Sequence, residues 1–457
     1  MIGLACMTAG PLAAQYEKLG GVYYAYPVTK SETAPPPEGY QPFYISHYGR
    51  HGSRWLPTEE RYEWVNRQLS DPKRLTKLGR SVRQRMAKVW KNAQGHGGLL
   101  TPLGGRQHRA IARRMYQAFP QLFTAEARLT AHSSTMTRCK TSMENFVEEL
   151  KTANPSLNIQ PITREEDMAW IAYKSAEQDQ YERAVGYPLA ISTDRFIHAL
   201  FTDASHLTDG DRKKLLTELH TIASDMQDVE LNVSLYDIFT EEELRAVYAL
   251  NNKRMTMQNG DKILNEGRAA RSASSLWERI VSDADKAIAR GGVGADLRFG
   301  HDTNLYRLFT LMGVNFRSDH HDIDGEPYDR MDEILPMAAN LQMIFYRNAE
   351  GRVLVQMLHN EKPVNLKQAG SNGGFYSWDT LKAHVARRLH DEEHQRQLCA
   401  LNTMVGTAPA NTKTAGLFGK GSEEHGQTLP AVLVPNGQNF WTPQTRDTEK
   451  KCVAPYY

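Results

Sequence analysis

The sequence lacks a long apolar run and has almost no excess of charge of either sign. Beyond the first residues, no segment has the ~20 consecutive apolar residues of a membrane-spanning helix. The 55 Lys and Arg residues are balanced by 53 Asp and Glu residues, which leaves a formal net charge of +2. A nucleic-acid coat or a polybasic membrane binder needs positive charge concentrated on one face, so both classes are disfavoured. The composition is that of an ordinary globular protein, in which any basic site must be local.

Cysteine is also scarce, with four residues in the chain: Cys6, Cys139, Cys399 and Cys452. The sequence has no Cys-x-x-Cys pair and no clustered Cys/His spacing, so a structural zinc site is not expected. We predict that the protein uses neither a metal nor a cofactor. Cys399 and Cys452 are the conceivable disulfide pair, whereas Cys139 lies inside a motif described below.

The N-terminus is a short apolar run that ends in small residues, as at a signal-peptide cleavage site near Ala14–Gln15. The basic residues that usually precede such a run are missing, and a frayed apolar terminus is the alternative. A lipoprotein anchor through Cys6 is disfavoured because Gly3 stands where a leucine is expected. We predict that residues 1–14 are the remnant of a signal peptide and that the protein is periplasmic or secreted.

Strand and helix patterns alternate in the first third of the chain. A length of 457 residues suggests two lobes, or one large domain with an insertion. The predicted elements are a strand at Phe43–Ser46 that ends in a turn beginning at Tyr48, a helix over 59–95, a helix from Thr101 to about Ala118, a strand at 127–132, and a helix through Leu150 with Ser133 or Ser134 as its N-cap.

Residues 160–290 differ because helical patterns dominate them, at 209–226, 240–255 and 272–290. Strand patterns then return at 294–300, 340–346 and 352–359, of which the last two pair as a hairpin, and a final helix is predicted at 376–389. This order predicts an α/β sandwich with an α-rich second lobe. Its core comprises 40–160 and 290–390, an α-helical cap is inserted at 161–289, and residues 405–457 form a polar tail.

The turn after the first predicted strand reads Arg50-His51-Gly52-Ser53-Arg54. Guanidinium groups match the geometry of phosphate oxygens, and glycine lets the backbone come close to a ligand. Loops at the carboxyl ends of strands are where α/β sheets bind ligands. The turn therefore indicates a phosphate site, although taken alone it is equally consistent with a surface loop that carries two solvated arginines.

Two further segments follow predicted strands in the same way. Ser134 and Arg138 lie one turn apart on one face of a predicted helix, whose free N–H groups also favour anions. His301-Asp302, after Gly300, supplies a second imidazole and a carboxyl group for proton transfer. Taken singly, Arg138 would be a solvated helix residue and Asp302 a turn or N-cap residue.

Together the three segments resemble the histidine phosphatase superfamily, in its acid phosphatase and phytase branch, over residues 40–390. The first motif of that branch is Arg-His-Gly-x-Arg-x-Pro, and here Leu56 stands in the proline position. Leu99–Gly104 also looks like a structural segment of the branch, and His-Asp-Thr is similar to its bacterial phytase and glucose-phosphatase pattern. The resemblance implies a three-layer sandwich with a central mixed, mostly parallel sheet.

The resemblance also implies a mechanism for hydrolysis of a small phosphate monoester. His51 would attack phosphorus as a neutral imidazole, because nearby arginines disfavour its charged form. The equatorial oxygens would be held by Arg50, Arg54, Arg138 and His301. Asp302 would protonate the leaving alkoxide and later take a proton from water.

Several alternatives stay open at this point. A phosphomutase and a catalytically silent protein that binds a phosphate ligand are alternatives for the same fold, but His51 and Asp302 are both present. A nucleic-acid binder would need a stripe of aromatic and basic residues that the sequence lacks. The substrate is equally consistent with an inositol phosphate such as phytate, a sugar phosphate or a broad range of monoesters. Trp55, Tyr62 and the helical insertion are expected to shape its pocket.

Overall fold

The computed structural model describes residues 11–27, 34–186, 189–260, 265–314, 316, 328–364, 366 and 374–391. The eight strands of the sheet are β1 Gln41–Arg50, β2 Arg128–Ser133, β3 Pro161–Thr163, β4 Gly294–Gly300, β5 Asn340–Arg347, β6 Val353–His359, β7 Lys362–Pro363 and β8 Phe375–Ser377. The predicted tail, the Cys399–Cys452 pair and Cys6 lie outside the described residues.

The helices in the described ranges are α1 Pro11–Lys18, α2 Glu60–Gln68, α3 Lys77–Ala93, α4 Pro102–Ala118, α5 Thr137–Ala153, α6 Met168–Ile171, α7 Ala176–Ala184, α8 Asp194–Leu200, α9 Asp209–Val229, α10 Glu241–Asn259, α11 Arg268–Arg271, α12 Ser274–Arg290, α13 Asp302–Met312 and α14 Met331–Ile334. Residues 378–391 form a further helix. In the stretches that the structure describes, no helix is both long and apolar enough to cross a membrane.

The strands form one mixed sheet in the order β3-β2-β4-β1-β5-β6-β7, with β8 also paired to β6. The pairs from β3 to β1 are parallel, and the pairs from β1 onward are antiparallel. The predicted α/β fold with a mixed sheet and the β5–β6 hairpin are therefore confirmed. The prediction that the sheet is mostly parallel was wrong, because three of the strand pairs in the described residues are parallel and four are antiparallel. Because β4 lies between β1 and β2, the loops that follow these three parallel strands meet at one edge of the sheet.

Helices cover both faces of the sheet. On one face, α4 and α5 pack through residues such as Ile111 and Phe146 against Ile45 of β1. On the other face, α12 and α13 pack against Tyr44 and Tyr48 of the same strand. Successive side chains of a strand point to opposite faces of the sheet. Where helices cover both faces, the side chains on both faces are buried. This explains why β1 is buried from Phe43 onward.

A third apolar cluster joins α2 and α3 to α8, α9 and α10. The helical part of the molecule therefore combines residues 60–93 with part of the predicted insertion, whereas α12 packs on the sheet. The division into a core and a cap at 161–289 stays a prediction. The capping pattern predicted at the start of α10 is confirmed, since Thr240 and Glu243 form a capping box.

Three predicted boundaries were wrong. The single helix over 59–95 is two helices, because Pro72 cannot continue a helix and Thr76 caps a new one by accepting from the N–H of Gly79 at 3.0 Å. The first strand runs to Arg50 instead of ending before Tyr48. The helix after β2 begins at Thr137 without a side-chain cap, because Ser134 extends the sheet ladder by donating to Phe299 O at 3.0 Å.

Two buried histidines, one in β1 and one in α4, should make the free energy of unfolding depend on pH. Burial lowers the pKa of His47 and His108 to about 3. The unfolded chain binds protons at these residues below about pH 6.5 and the folded chain does not, so acid favours unfolding. Urea denaturation between pH 4.5 and 6.5 should show a free energy of unfolding that falls as pH falls, by at most about 1.4 kcal/mol per pH unit per histidine. His108→Leu should reduce that slope and the exposed His198→Gln should not; equal slopes in both variants would contradict this account.

Candidate active site

Three predicted loops converge at the carboxyl ends of β1, β2 and β4. The N–H of His51 donates to Gly300 O at 3.0 Å, which joins the loop after β1 to the end of β4. The hydroxyl of Ser134, in the loop after β2, lies 3.2 Å from His301 Nε2. The imidazole rings of His51 and His301 are 5.9 Å apart between centroids. The sequence-predicted residues of the three segments thus lie in one cluster.

The His51 ring is buried and held in one tautomer. Its Nδ1 lies 2.9 Å from the carbonyl oxygen of Gly52. Since a carbonyl only accepts, Nδ1 carries the proton of the neutral ring and Nε2 keeps its lone pair. Burial, followed by the charges of Arg138, Arg50 and Arg54, holds the pKa of His51 well below its usual range. The site therefore contains a neutral imidazole whose Nε2 is an available nucleophile.

The backbone beside His51 is packed against the start of α4, where Thr101 caps the helix as predicted. A Cβ on Gly52 would lie 2.6–2.9 Å from backbone atoms of Gly104. Backbone on both sides leaves no flexible group to move out of the way. The glycine of the motif is therefore required by the close approach of the loop to α4.

Gly52→Ala should lower the free energy of unfolding by about 1–3 kcal/mol, because the added methyl overpacks the contact with Gly104. It should also reduce activity by displacing His51. Urea denaturation measures the first effect. The matched control is Gly210→Ala in α9, where an added Cβ meets nothing closer than 3.7 Å. Equal stabilities of the two variants would show that the contact is not tight.

Arg50 is the last residue of β1, not part of the turn as predicted, and protein groups hold it firmly. Its Nη1 donates to Val22 O at 2.7 Å and Leu335 O at 2.6 Å. Its Nη2 lies 2.9 Å from Asp302 Oδ2. The guanidinium is fully buried. Arg50 therefore enters the site already oriented by two carbonyls and one carboxylate.

Arg54 and Arg138 are also buried, but several of their nitrogens have no protein acceptor. The guanidinium carbon of Arg54 lies over the ring of Tyr23, 5.3 Å from the ring centroid. Arg54 Nε, Arg138 Nε and Arg138 Nη2 have no hydrogen-bond partner among the residues described. Leaving a buried donor unsatisfied costs about 1–3 kcal/mol. Two buried cations with free donors beside a neutral imidazole form a site that an anion can complete.

His301 and Asp302 complete the cluster from the start of α13. Burial and the charge of Arg138 lower the pKa of His301 to about 3, so this ring is neutral and can donate a hydrogen bond. Burial raises the pKa of Asp302, but Arg50, His301 and Arg54 outweigh it and hold the pKa below its usual value. The side chain of Asp302 is 20% exposed.

Sequence reasoning missed the residues that support the first loop from behind. Ser53 contacts Asp228 and Gln107, and Tyr62 contacts Asp225. Tyr62 was expected at the substrate pocket, but it is fully buried. These partners are far apart in sequence, and no local pattern joins them. The one usable signal was a pair of acidic residues on an otherwise buried face of α9.

The predicted placement of Ser134 and Arg138 on one helix was wrong, although both belong to the cluster. Ser134 directly follows β2 and precedes α5, and Arg138 is the second residue of that helix. In the described ranges, no group of three or more His, Cys, Asp and Glu side chains is arranged to hold a metal ion.

The chain is similar in sequence to a known protein family and to a named relative. Residues 49–360 match the model of the histidine phosphatase superfamily (branch 2). The sequence is 24% identical to multiple inositol polyphosphate phosphatase 1 of Gallus gallus over 346 residues, 67% of this chain and 73% of the relative.

Two solved structures share the fold. The multiple inositol polyphosphate phosphatase of Bifidobacterium longum in complex with phosphate has a TM-score of 0.67 at 17% identity and covers 81% of this chain and 97% of its own. The phytase of D. castellii has a TM-score of 0.58 at 16% identity and covers 85% of this chain and 90% of its own.

Proposed function

We propose that this chain, which belongs to branch 2 of the histidine phosphatase superfamily and is a phosphoric monoester hydrolase, acts through a phosphohistidine on His51. The observation that carries the proposal is the neutral His51 ring, protonated on Nδ1 and surrounded by buried arginines with free donors. A neutral imidazole with a free Nε2 is a nucleophile that can attack phosphorus, and the arginine donors can hold the phosphate oxygens.

In the first step, the lone pair of His51 Nε2 forms a bond to phosphorus while the bond to the ester oxygen breaks. The equatorial oxygens accept hydrogen bonds from Arg54, Arg138 and His301, whose charges and donors are in position before the reaction. Arg50 adds its positive charge, and its buried Nε also has no hydrogen-bond partner among the described residues. The departing alkoxide takes a proton from the carboxyl of Asp302 and leaves as the alcohol.

In the second step, water attacks the phosphorus of the phosphohistidine. The carboxylate of Asp302, left without its proton by the first step, takes one from that water. The bond from phosphorus to His51 Nε2 breaks, and inorganic phosphate leaves. The atoms balance as one monoester and one water giving one alcohol and one phosphate.

Asp302 must be protonated to act first, although its pKa lies below its usual value in the empty site. A bound phosphate dianion supplies negative charge beside the carboxyl and offsets the positive charges of Arg50 and Arg54. Both effects favour the protonated carboxyl. Substrate binding therefore prepares the acid that the first step needs, and a low pKa makes the protonated carboxyl a ready donor to the departing alkoxide.

Within the monoesters, we propose an inositol polyphosphate such as phytate as the preferred substrate. The named activity of the Gallus gallus relative supports this choice. Export to the periplasm or the medium is part of the same proposal and depends on the cleavage pattern near Ala14–Gln15.

The test is hydrolysis of inositol hexakisphosphate, a sugar phosphate and p-nitrophenyl phosphate in the presence of EDTA. We expect activity with all three and the highest kcat/KM with inositol hexakisphosphate. A preference for the sugar phosphate would overturn the substrate assignment but would not contradict the phosphohistidine mechanism. The absence of any phosphate release from folded protein would overturn the function and favour a protein that only binds phosphate ligands.

A further inference from the structure

Two carboxylates lie buried near the end of α9, behind the first loop of the site. Asp225 and Asp228 are three residues apart on one face of the helix, and both are 0% exposed. The C-terminal end of a helix carries partial negative charge, and α9 has no basic residue in its last turn. Burying two acids there costs stability unless protons or cations compensate. Such a cost indicates a role other than packing.

Asp228 holds Ser53, the residue directly before Arg54. Ser53 Oγ donates to Asp228 Oδ1 at 2.6 Å and accepts from Gln107 Nε2 at 2.8 Å. The N–H of Ser53 donates to Gln107 Oε1 at 2.9 Å. Both the side chain and the backbone of Ser53 are therefore fixed, and the next residue is Arg54.

Asp225 holds the far end of the same loop through Tyr62. The hydroxyl of Tyr62 donates to Asp225 Oδ2 at 3.1 Å and accepts from the N–H of Leu56 at 3.0 Å. Leu56 stands where the family motif has proline, which has no N–H to give. The departure of this chain from the motif thus creates the second attachment.

We propose that Asp225 and Asp228 are positioning residues that fix the loop 53–56, and with it Arg54, by sharing a single proton. The inference rests on the proposed function. The remaining oxygens, Asp225 Oδ1 and Asp228 Oδ2, are both buried and have no hydrogen-bond partner within the described part of the chain. One proton between the two carboxyls would give each oxygen a partner.

The surrounding charges agree with one proton and one negative charge. Burial and the charge of Asp225 hold the pKa of Asp228 well above its usual range. Burial also raises the pKa of Asp225 to about 7, although nearby arginines oppose it. The charged or titratable groups that face the pair are Arg50, Arg54, Arg61, Tyr23, Tyr62 and Tyr236. The pair titrates as a unit, and its remaining charge balances Arg54.

The shared proton makes Asp228→Asn and Asp228→Ala behave differently. An asparagine amide donates where the protonated carboxyl would donate and still accepts from Ser53, whereas alanine loses both contacts. For p-nitrophenyl phosphate, we expect Asp228→Ala to lower kcat/KM about 10²-fold, as misplacement of a substrate-binding group does. Asp228→Asn should recover most of that loss. The matched control is Glu243→Gln, a buried carboxylate of α10 that pairs with Arg195 and does not contact the loop.

A melting temperature for each variant separates positioning from folding. If Asp228→Ala loses stability but keeps the wild-type kcat and KM, as Glu243→Gln should, the positioning role is overturned. If Asp228→Asn lowers kcat/KM as much as Asp228→Ala does, an ionised Asp228 is required and the proposal of a shared proton is overturned. Should Asp228→Ala not fold, Ser53→Ala carries the same test, because it removes only the hydroxyl between Asp228 and Gln107.

An infrared difference spectrum provides a readout that does not depend on activity. At pH 6, wild type minus Asp228→Asn should show the carbonyl stretch of a protonated carboxyl, and its absence would overturn the shared proton. An inactive wild-type enzyme would instead contradict the proposed function. The two failures are therefore distinguishable.

Discussion

His51→Ala should abolish turnover, with a loss on the order of 10⁵–10⁶ in kcat, the scale seen when a covalent nucleophile is removed. Alanine leaves no atom able to form the bond to phosphorus. The arginines and His301 remain, so binding of inorganic phosphate should persist. Calorimetric titration with phosphate and the rate with p-nitrophenyl phosphate together measure the two effects.

His384→Ala is the matched control for that experiment. His384 is also buried, but it lies on the helix 378–391 and contacts Met312 O, at the end of α13 opposite Asp302. The His384→Ala variant should have a lower free energy of unfolding than wild type and a kcat within a fewfold of wild type. Substantial turnover by His51→Ala would mean that water attacks the substrate directly, and the covalent mechanism would be wrong.

Asp302→Asn should produce the second largest loss, about 10²–10⁴ in rate for an alkyl phosphate. Asparagine keeps an acceptor for the N–H of Thr303 but has no proton to deliver to an alkoxide. For p-nitrophenyl phosphate, whose leaving group needs little protonation, the first step should slow far less. The ratio of the losses for glycerol phosphate and p-nitrophenyl phosphate therefore measures general acid catalysis.

The pH dependence of wild type should have a matching sign. The acid must carry its proton, so kcat for glycerol phosphate should fall as pH rises through the pKa of Asp302 in the complex, and this fall should be absent in Asp302→Asn. Asp283→Asn is the control, because Asp283 also pairs with a buried arginine, Arg298, at 2.6 Å. Equal losses on both substrates would contradict the role assigned to Asp302.

The sequence was sufficient to predict the elements that follow strong local signals. Thr101 and Pro102 at the start of α4 have the capping and backbone preferences of a helix start. The strand pattern at 340–346 is apolar because both faces of the sheet are covered there, whereas the pattern at 294–300 alternates and places Ala295, Leu297 and Phe299 on one apolar face. Each of the three site segments follows a parallel strand, and strand order then brings them to one edge.

Long-range contacts were beyond the reach of the sequence pattern. That Val22 and Leu335 orient Arg50 depends on backbone carbonyls, which carry no side-chain signature. That Asp228 holds Ser53 depends on the packing of α9 against the first loop, across 175 residues of chain. Leu56 could be recognised as a departure from the motif, but its attachment to Tyr62 required the structure.

The most direct test of the covalent mechanism is a rapid alkaline quench of Asp302→Asn during turnover of p-nitrophenyl phosphate, followed by peptide mapping. Phosphohistidine survives in alkali, and this variant should form it faster than it hydrolyses it, since water activation needs the missing carboxylate. We predict phosphate on the peptide that contains His51, and none in the double variant that also carries His51→Ala. Phosphate on another residue, or no phosphoenzyme while substrate is being turned over, would contradict the mechanism.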